Sequence, residues 1–286
     1  MALSLPEILD RIFIHLPSRL ENSPRIEDDW RRDKTDLFSC SLVCREWKDE
    51  VRRHIFHTIT YSFNCVHATV GHYWTIERAL QKFIEFLRSS PDICRLVRRL
   101  NLICDMHAVD ARVDWRDVYS IIELLQNVEW VMLHDVPLHS IILEPPALRF
   151  SISTLDLSGG HRSCFGEPSF VLAAVNMFTS IDTLRVSGLT ISNDFTMAAS
   201  AFPATRVAAL AVDLYHNSTL LQCINPEHLR SLRLPSRSFG GSGASSYWWK
   251  ALVRDGLGKQ LEHLSFFFHE GGGEFLCLSI RRRVSN

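Results

Sequence analysis

The chain has 286 residues, 46% of them apolar and 22% charged, with a formal net charge of −1. That composition belongs to a folded globular protein and excludes fibrous and intrinsically disordered classes. The balance of 31 basic against 32 acidic side chains gives no electrostatic reason to expect nucleic acid or an anionic membrane surface as a partner.

The opening residues Met1-Ala-Leu-Ser-Leu-Pro-Glu lack a basic leader, and acidic residues interrupt the apolar stretch behind them. The expectation is a chain that is not secreted and works in the cytoplasm, the nucleus or both. No window approaches the about 18 uninterrupted apolar residues of a membrane span. Eight cysteines are scattered among apolar positions and read as reduced core residues.

Ser4-Leu5-Pro6-Glu7 is a helix start: Ser4 caps, Glu7 completes a capping box, and Pro6 suits the first turn. Leu5, Ile8, Leu9, Ile12, Phe13 and Leu16 then form one apolar stripe, which Pro17 ends. Residues 18–34 are polar, carry both charges and contain Pro24, so they read as a surface loop. Helical spacing resumes at Leu37, Cys40, Cys44, Trp47, Val51 and Ile55, with Leu42 and Val43 widening the face and a break expected near Cys44.

These two blocks carry a resemblance. Leu5-Pro6, Leu9, Ile12-Phe13 and Leu16, followed by Leu37 and Leu42-Val43-Cys44-Arg45-x-Trp47, are similar to the F-box pattern. The resemblance implies a three-helix F-box domain over residues 1–60, with 18–34 as a loop longer than usual. It further implies docking onto a Skp-family adaptor protein and, through it, a cullin scaffold that carries the ubiquitin-transfer machinery. The implied adaptor contacts are Leu5, Pro6, Ile8, Leu9, Ile12, Phe13, Leu16, Leu37, Leu42, Val43, Cys44 and Trp47.

Residues 61–96 are expected to form a helical linker, with a stripe of Ile76, Leu80, Phe83, Ile84 and Leu87 that Ser90-Pro91 terminates. From residue 97 to 286 a unit recurs, apolar-x-x-apolar-x-apolar. Its fourth positions are Leu100, Val131, Leu155, Leu184, Leu210, Leu232 and Leu264, at steps of 31, 24, 29, 26, 22 and 32 residues. Between units lie helical stripes at Val118, Ile121, Ile122 and Leu125, and at Val171, Ala174, Val175 and Phe178. Another short helix is expected around Trp248 and Trp249. Strand and helix thus alternate with the period of a leucine-rich repeat. The fold class expected is α/β, an F-box followed by an irregular leucine-rich-repeat solenoid. The family's asparagine after each strand is missing: Asp105, Val136, Gly160, Leu189, Tyr215, Arg237 and His269 stand there instead.

In such a solenoid the strand residues between the buried positions face the concave side. These are Arg99, Asn101, Trp130, Met132, His134, Thr154, Asp156, Ser158, Arg185, Ser187, Asp213, Arg233, His263, Ser265 and Phe267. Their mixture of charge, aromatic surface and small polar groups suits a protein epitope. Half-exposed sheets are polar on their outer face in any case. Trp130 and Phe267 are the less ordinary members.

Motifs for chemistry are missing. Gly258-Lys259 is followed by Gln260 rather than Ser or Thr, so no phosphate loop forms. Ser163 lacks a nucleophile elbow. The Cys40/Cys44 and His54/His57 pairs lie in apolar helical patterns without a second pair, which favours packing over zinc. The expectation is a non-catalytic adaptor without metal or cofactor, its repeats binding a target protein for ubiquitination. A repeat scaffold outside any ligase is the alternative.

Overall fold

The computed structural model describes residues 37–65, 76–106, 113–136, 138–139, 150–159, 168–188, 205–212, 224–235, 261–270 and 273–281. Leu5, Pro6, Ile8, Leu9, Ile12, Phe13 and Leu16, the 18–34 loop, Asp213 and the segment around Trp248 lie outside these residues.

Residues 37–40 are helical, and residues 41–43 turn into an extended Cys44. Helix α1 then runs Arg45–His57, so the expected break near Cys44 is present. The apolar side of this region forms a small core of its own. Leu37, Val51 and Ile55 are buried, with Cys40, Trp47 and Phe56 packed against them.

At Thr58 the chain passes without a loop into strand β1, Thr58–Cys65. A helical linker is expected from residue 61, but β1 occupies its beginning. The reason is local: Ile59, Tyr61 and Phe63 alternate with Thr60 and Ser62, a period of two with β-favouring side chains. The linker's expected helix follows as α2, Ile76–Ser89, which buries Leu80, Phe83, Ile84 and Leu87. Pro91 does not simply end it. It opens a one-turn helix α3, Pro91–Cys94, from its first position.

Every one of the seven recurring units forms a strand. They are β2 (Arg99–Met106), β4 (Trp130–His134), β6 (Phe150–Ser158), β7 (Phe178–Ser187), β8 (Thr205–Val212), β10 (Ser231–Pro235) and β11 (His263–Glu270). The sheet follows chain order, β1-β2-β4-β6-β7-β8-β10-β11 and then β12 (Gly273–Arg281), and two-residue β9 (Ile224–Asn225) adds to β8. Short β3 (Val113–Asp114) and β5 (Leu138–His139) pair separately. All neighbours in the large sheet are parallel except the last: β12 returns antiparallel to β11. This is a mixed α/β fold with an open, mostly parallel sheet.

Register explains the spacing in the sequence. Ile59, Leu100, Val131, Leu155, Leu184, Leu210, Leu232 and Leu264 are successive partners across eight strands. One residue out of step would turn every such side chain to the opposite face. Leu102, Leu133, Leu157, Val186 and Val212 form a second buried row on the same face.

Helices cover that face. Helix α4, Trp115–Leu124, is capped by Asp114, whose carboxylate accepts from the Arg116 amide at 2.9 Å. Its Val118, Ile121 and Ile122 join α2 and the sheet in one core, and Gln81 Nε2 donates to Asp117 Oδ1 at 2.7 Å between the two helices. Helix α5, Pro168–Asn176, contributes Val171, Ala174 and Val175. Phe178, expected on this helix, instead opens β7. It is fully buried, because the strand begins one residue after the Met177 turn. Buried Thr205 ties the two elements: its hydroxyl is 3.1 Å from the Val175 carbonyl oxygen and 3.0 Å from that of Phe178.

Candidate functional site: the open face of the sheet

Among the described residues, the helices that join the core pack on one face of the sheet, and alternation within each strand turns its remaining side chains to the other, open face. On β4 the buried Val131 and Leu133 alternate with half-buried Trp130, Met132 and His134. The same rule directs Arg99 and Asn101 on β2, Thr154, Asp156 and Ser158 on β6, Arg185 and Ser187 on β7, Arg233 on β10, and His263 and Ser265 on β11. Phe267 lies in β11 opposite Pro235.

Register gathers these residues into rows. Thr58, Arg99, Trp130, Thr154, Thr183, Ala209, Ser231 and His263 form one; Thr60, Asn101, Met132, Asp156, Arg185, Ala211, Arg233 and Ser265 form the next. A third holds Ser62, Ile103, His134, Ser158 and Ser187. Sequence reading missed Thr58, Thr60, Ser62, Ile103, Thr183, Ala209, Ala211 and Ser231, though the alternation that selects the others selects these as well.

The rows converge on Trp130. The Arg99 guanidinium carbon lies 4.5 Å from the centre of its ring, and that of Arg185 lies 5.0 Å from the same centre. Arg99 is the cross-strand partner of Trp130. Arg185 comes from two strands away, past β6. Guanidinium groups stack on an indole through the negative potential of its face.

Beside this cluster sits Asp156, partner of both Met132 and Arg185. Burial pushes its carboxyl pKa upward, while the positive fields of Arg185 and His134 pull it back. His134 Nδ1 is 2.9 Å from the Ser158 hydroxyl, and its Nε2 is 3.4 Å from Asp135 Oδ2. A serine, a histidine and an aspartate in line suggest a hydrolytic triad. The supporting donors are spent elsewhere, however. The Asp135 amide donates to the Ser158 carbonyl at 2.9 Å, and the Gly159 amide to that of Ser187 at 3.0 Å. Neither amide remains to stabilise an oxyanion, and the contacts read as ties between the ends of β4, β6 and β7. Among the described residues, no three His, Cys, Asp or Glu side chains are placed to hold a metal ion.

The F-box-like residues are divided. Leu37 is buried and Trp47 packs against the same small core. Leu42 is 85% exposed and Val43 63% exposed, and Cys44 is exposed beside them. No helix among the described residues is long and apolar enough to cross a membrane. No family model matches the chain, and none of the curated proteins compared with it matches either.

Proposed function

We propose that this chain is a substrate-recognition adaptor of a Skp–cullin–F-box ubiquitin ligase. In this reading residues 1–57 form the F-box, and the sheet with its helices is an irregular leucine-rich-repeat solenoid whose open face selects the target. The observation that carries it is the exposure of Leu42 and Val43 at the head of the Leu-Val-Cys-Arg-x-Trp block. Large adjacent apolar groups left in water, next to a core that buries Leu37, Val51 and Ile55, favour a protein partner at that point. The chain-order parallel sheet supports the second half: each repeat buries its apolar row against its neighbours and leaves a continuous opposite face.

Such a subunit performs no bond chemistry. It holds a target near the transfer site and raises its effective concentration there. Co-purification from cells with the proteasome inhibited tests this. The full chain is expected to carry a Skp-family adaptor and a ubiquitinated target, and a chain lacking residues 1–57 to keep the target while losing the adaptor. Recovery of a target without any adaptor would instead favour a repeat scaffold outside the ligase.

A further inference from the structure

We propose that Arg99, Trp130 and Arg185 form the anchor for an anionic side chain on an extended acidic segment of the target protein. This rests on the open face being the target-binding one, and not on assembly with a ligase.

The two guanidinium groups reach one indole ring from strands β2 and β7, at 4.5 and 5.0 Å from its centre. Their separation therefore cannot exceed those two distances combined. Both side chains are exposed, and among the described residues neither closes an ion pair with a carboxylate. Asp156, the direct neighbour of Arg185 across β6 and β7, acts on it only through its field. Two like charges held this close repel each other, and an anion between them reverses the sign of the interaction. The ring also limits the freedom of both groups, so their N–H edges are oriented before a ligand arrives. A carboxylate or a phosphate matches that fork in geometry as well as charge.

The surroundings select an extended peptide. Across the two rows that carry the cluster, Asp156 is the one acidic residue, whereas Arg233 adds a further positive charge beyond Ala211. Ala209 and Ala211 make β8 low between the arginines of β7 and β10. A segment crossing the strands therefore meets Arg185 and, two strand spacings or about 10 Å further on, Arg233, with only alanine between them in that row.

The test uses the full chain and three capped nine-residue peptides that differ only at three alternate positions, filled by glutamate, phosphoserine or glutamine. Binding is read by fluorescence anisotropy. At least one acidic peptide is expected to bind about tenfold or more tightly than the glutamine peptide, and to weaken as salt is raised. Which acidic peptide binds better tells a carboxylate-bearing target from a phosphorylated one. The preference is expected to vanish in R99Q/R185Q and to fall in W130L, which keeps both charges but removes the ring. R116Q/R230Q removes two exposed arginines elsewhere and should leave binding unchanged. Equal binding of all three peptides, an unaffected R99Q/R185Q, or an equal loss in R116Q/R230Q overturns the proposal. Adaptor binding measured on the same samples separates the two readings: an acidic preference without adaptor binding refutes the ligase and leaves this site standing.

Discussion

Arg99 and Trp130 are partners in the β2–β4 register, and the guanidinium of the first lies 4.5 Å from the ring centre of the second. Neither residue belongs to the core, so their interaction is separable from the fold. A double-mutant cycle with Arg99→Ala and Trp130→Ala, followed by chemical denaturation, should give a coupling of about 0.5–1 kcal/mol, the range for an exposed cation–π pair. A coupling of zero would show that the contact is not maintained in solution.

The buried ladder lies in the main core. Leu155 is fully buried between Val131 and Leu184, and Leu155→Ala should cost about 2–5 kcal/mol in urea denaturation through lost burial and a residual cavity. Thr154→Ala, one residue away on the open face, should cost less than about 0.5 kcal/mol. Similar losses at both positions would contradict the assignment of faces.

Gly188 terminates β7 with φ of +63°, the left-handed region that L side chains seldom adopt. A Cβ there would also run into the carbonyl oxygen of Gly159. Gly188→Ala should therefore destabilise by about 1–3 kcal/mol, measured by thermal unfolding. A neutral effect would mean that this turn rearranges freely.

Asp156 predicts a direction with pH. Its folded-state pKa is raised from 3.8, first by burial, so the folded chain holds this proton more tightly than the unfolded chain does. The penalty is absent below the ordinary carboxylate range and grows as pH rises from 3.8 through the elevated folded value. Asp156→Asn removes it. The variant's stability relative to wild type should increase from pH 4 to neutrality, read as a difference in urea midpoints. A constant difference would show that the carboxylate is not desolvated.

Much of this was legible in the sequence, for identifiable reasons. The fourth positions of the seven units became in-register partners because a strand's two-residue alternation and the repeat length are both local properties. Helices α2 and α4 followed from their stripes, whereas the Asp114 cap of α4 came only with the structure. Strand β1 carried the same signal in Ile59, Tyr61 and Phe63, yet it stands 41 residues before the next unit, counted from Ile59 to Leu100, and so escaped a search for even spacing. Phe178 fits a helical stripe by spacing alone, and only the turn at Met177 assigns it to β7. The antiparallel β12 was missed too. It pairs along β11, whose Phe266 packs against the core. The open-face residues could be named from alternation, but not the meeting of Arg185 with Trp130. That contact joins residues 55 positions apart in the chain, across an intervening strand, and depends on register that no local pattern records.

Leu42 and Val43 allow the most direct test of the proposed adaptor role, because their exposure lets them be changed without disturbing the small core. Calorimetric titration of the purified chain with a purified Skp-family adaptor should show a one-to-one complex. Leu42→Asp with Val43→Asp should weaken it at least about a hundredfold, or about 2.7 kcal/mol, with the melting temperature unchanged. No heat of binding for the wild-type chain, or equal affinity in the double variant, would contradict the account.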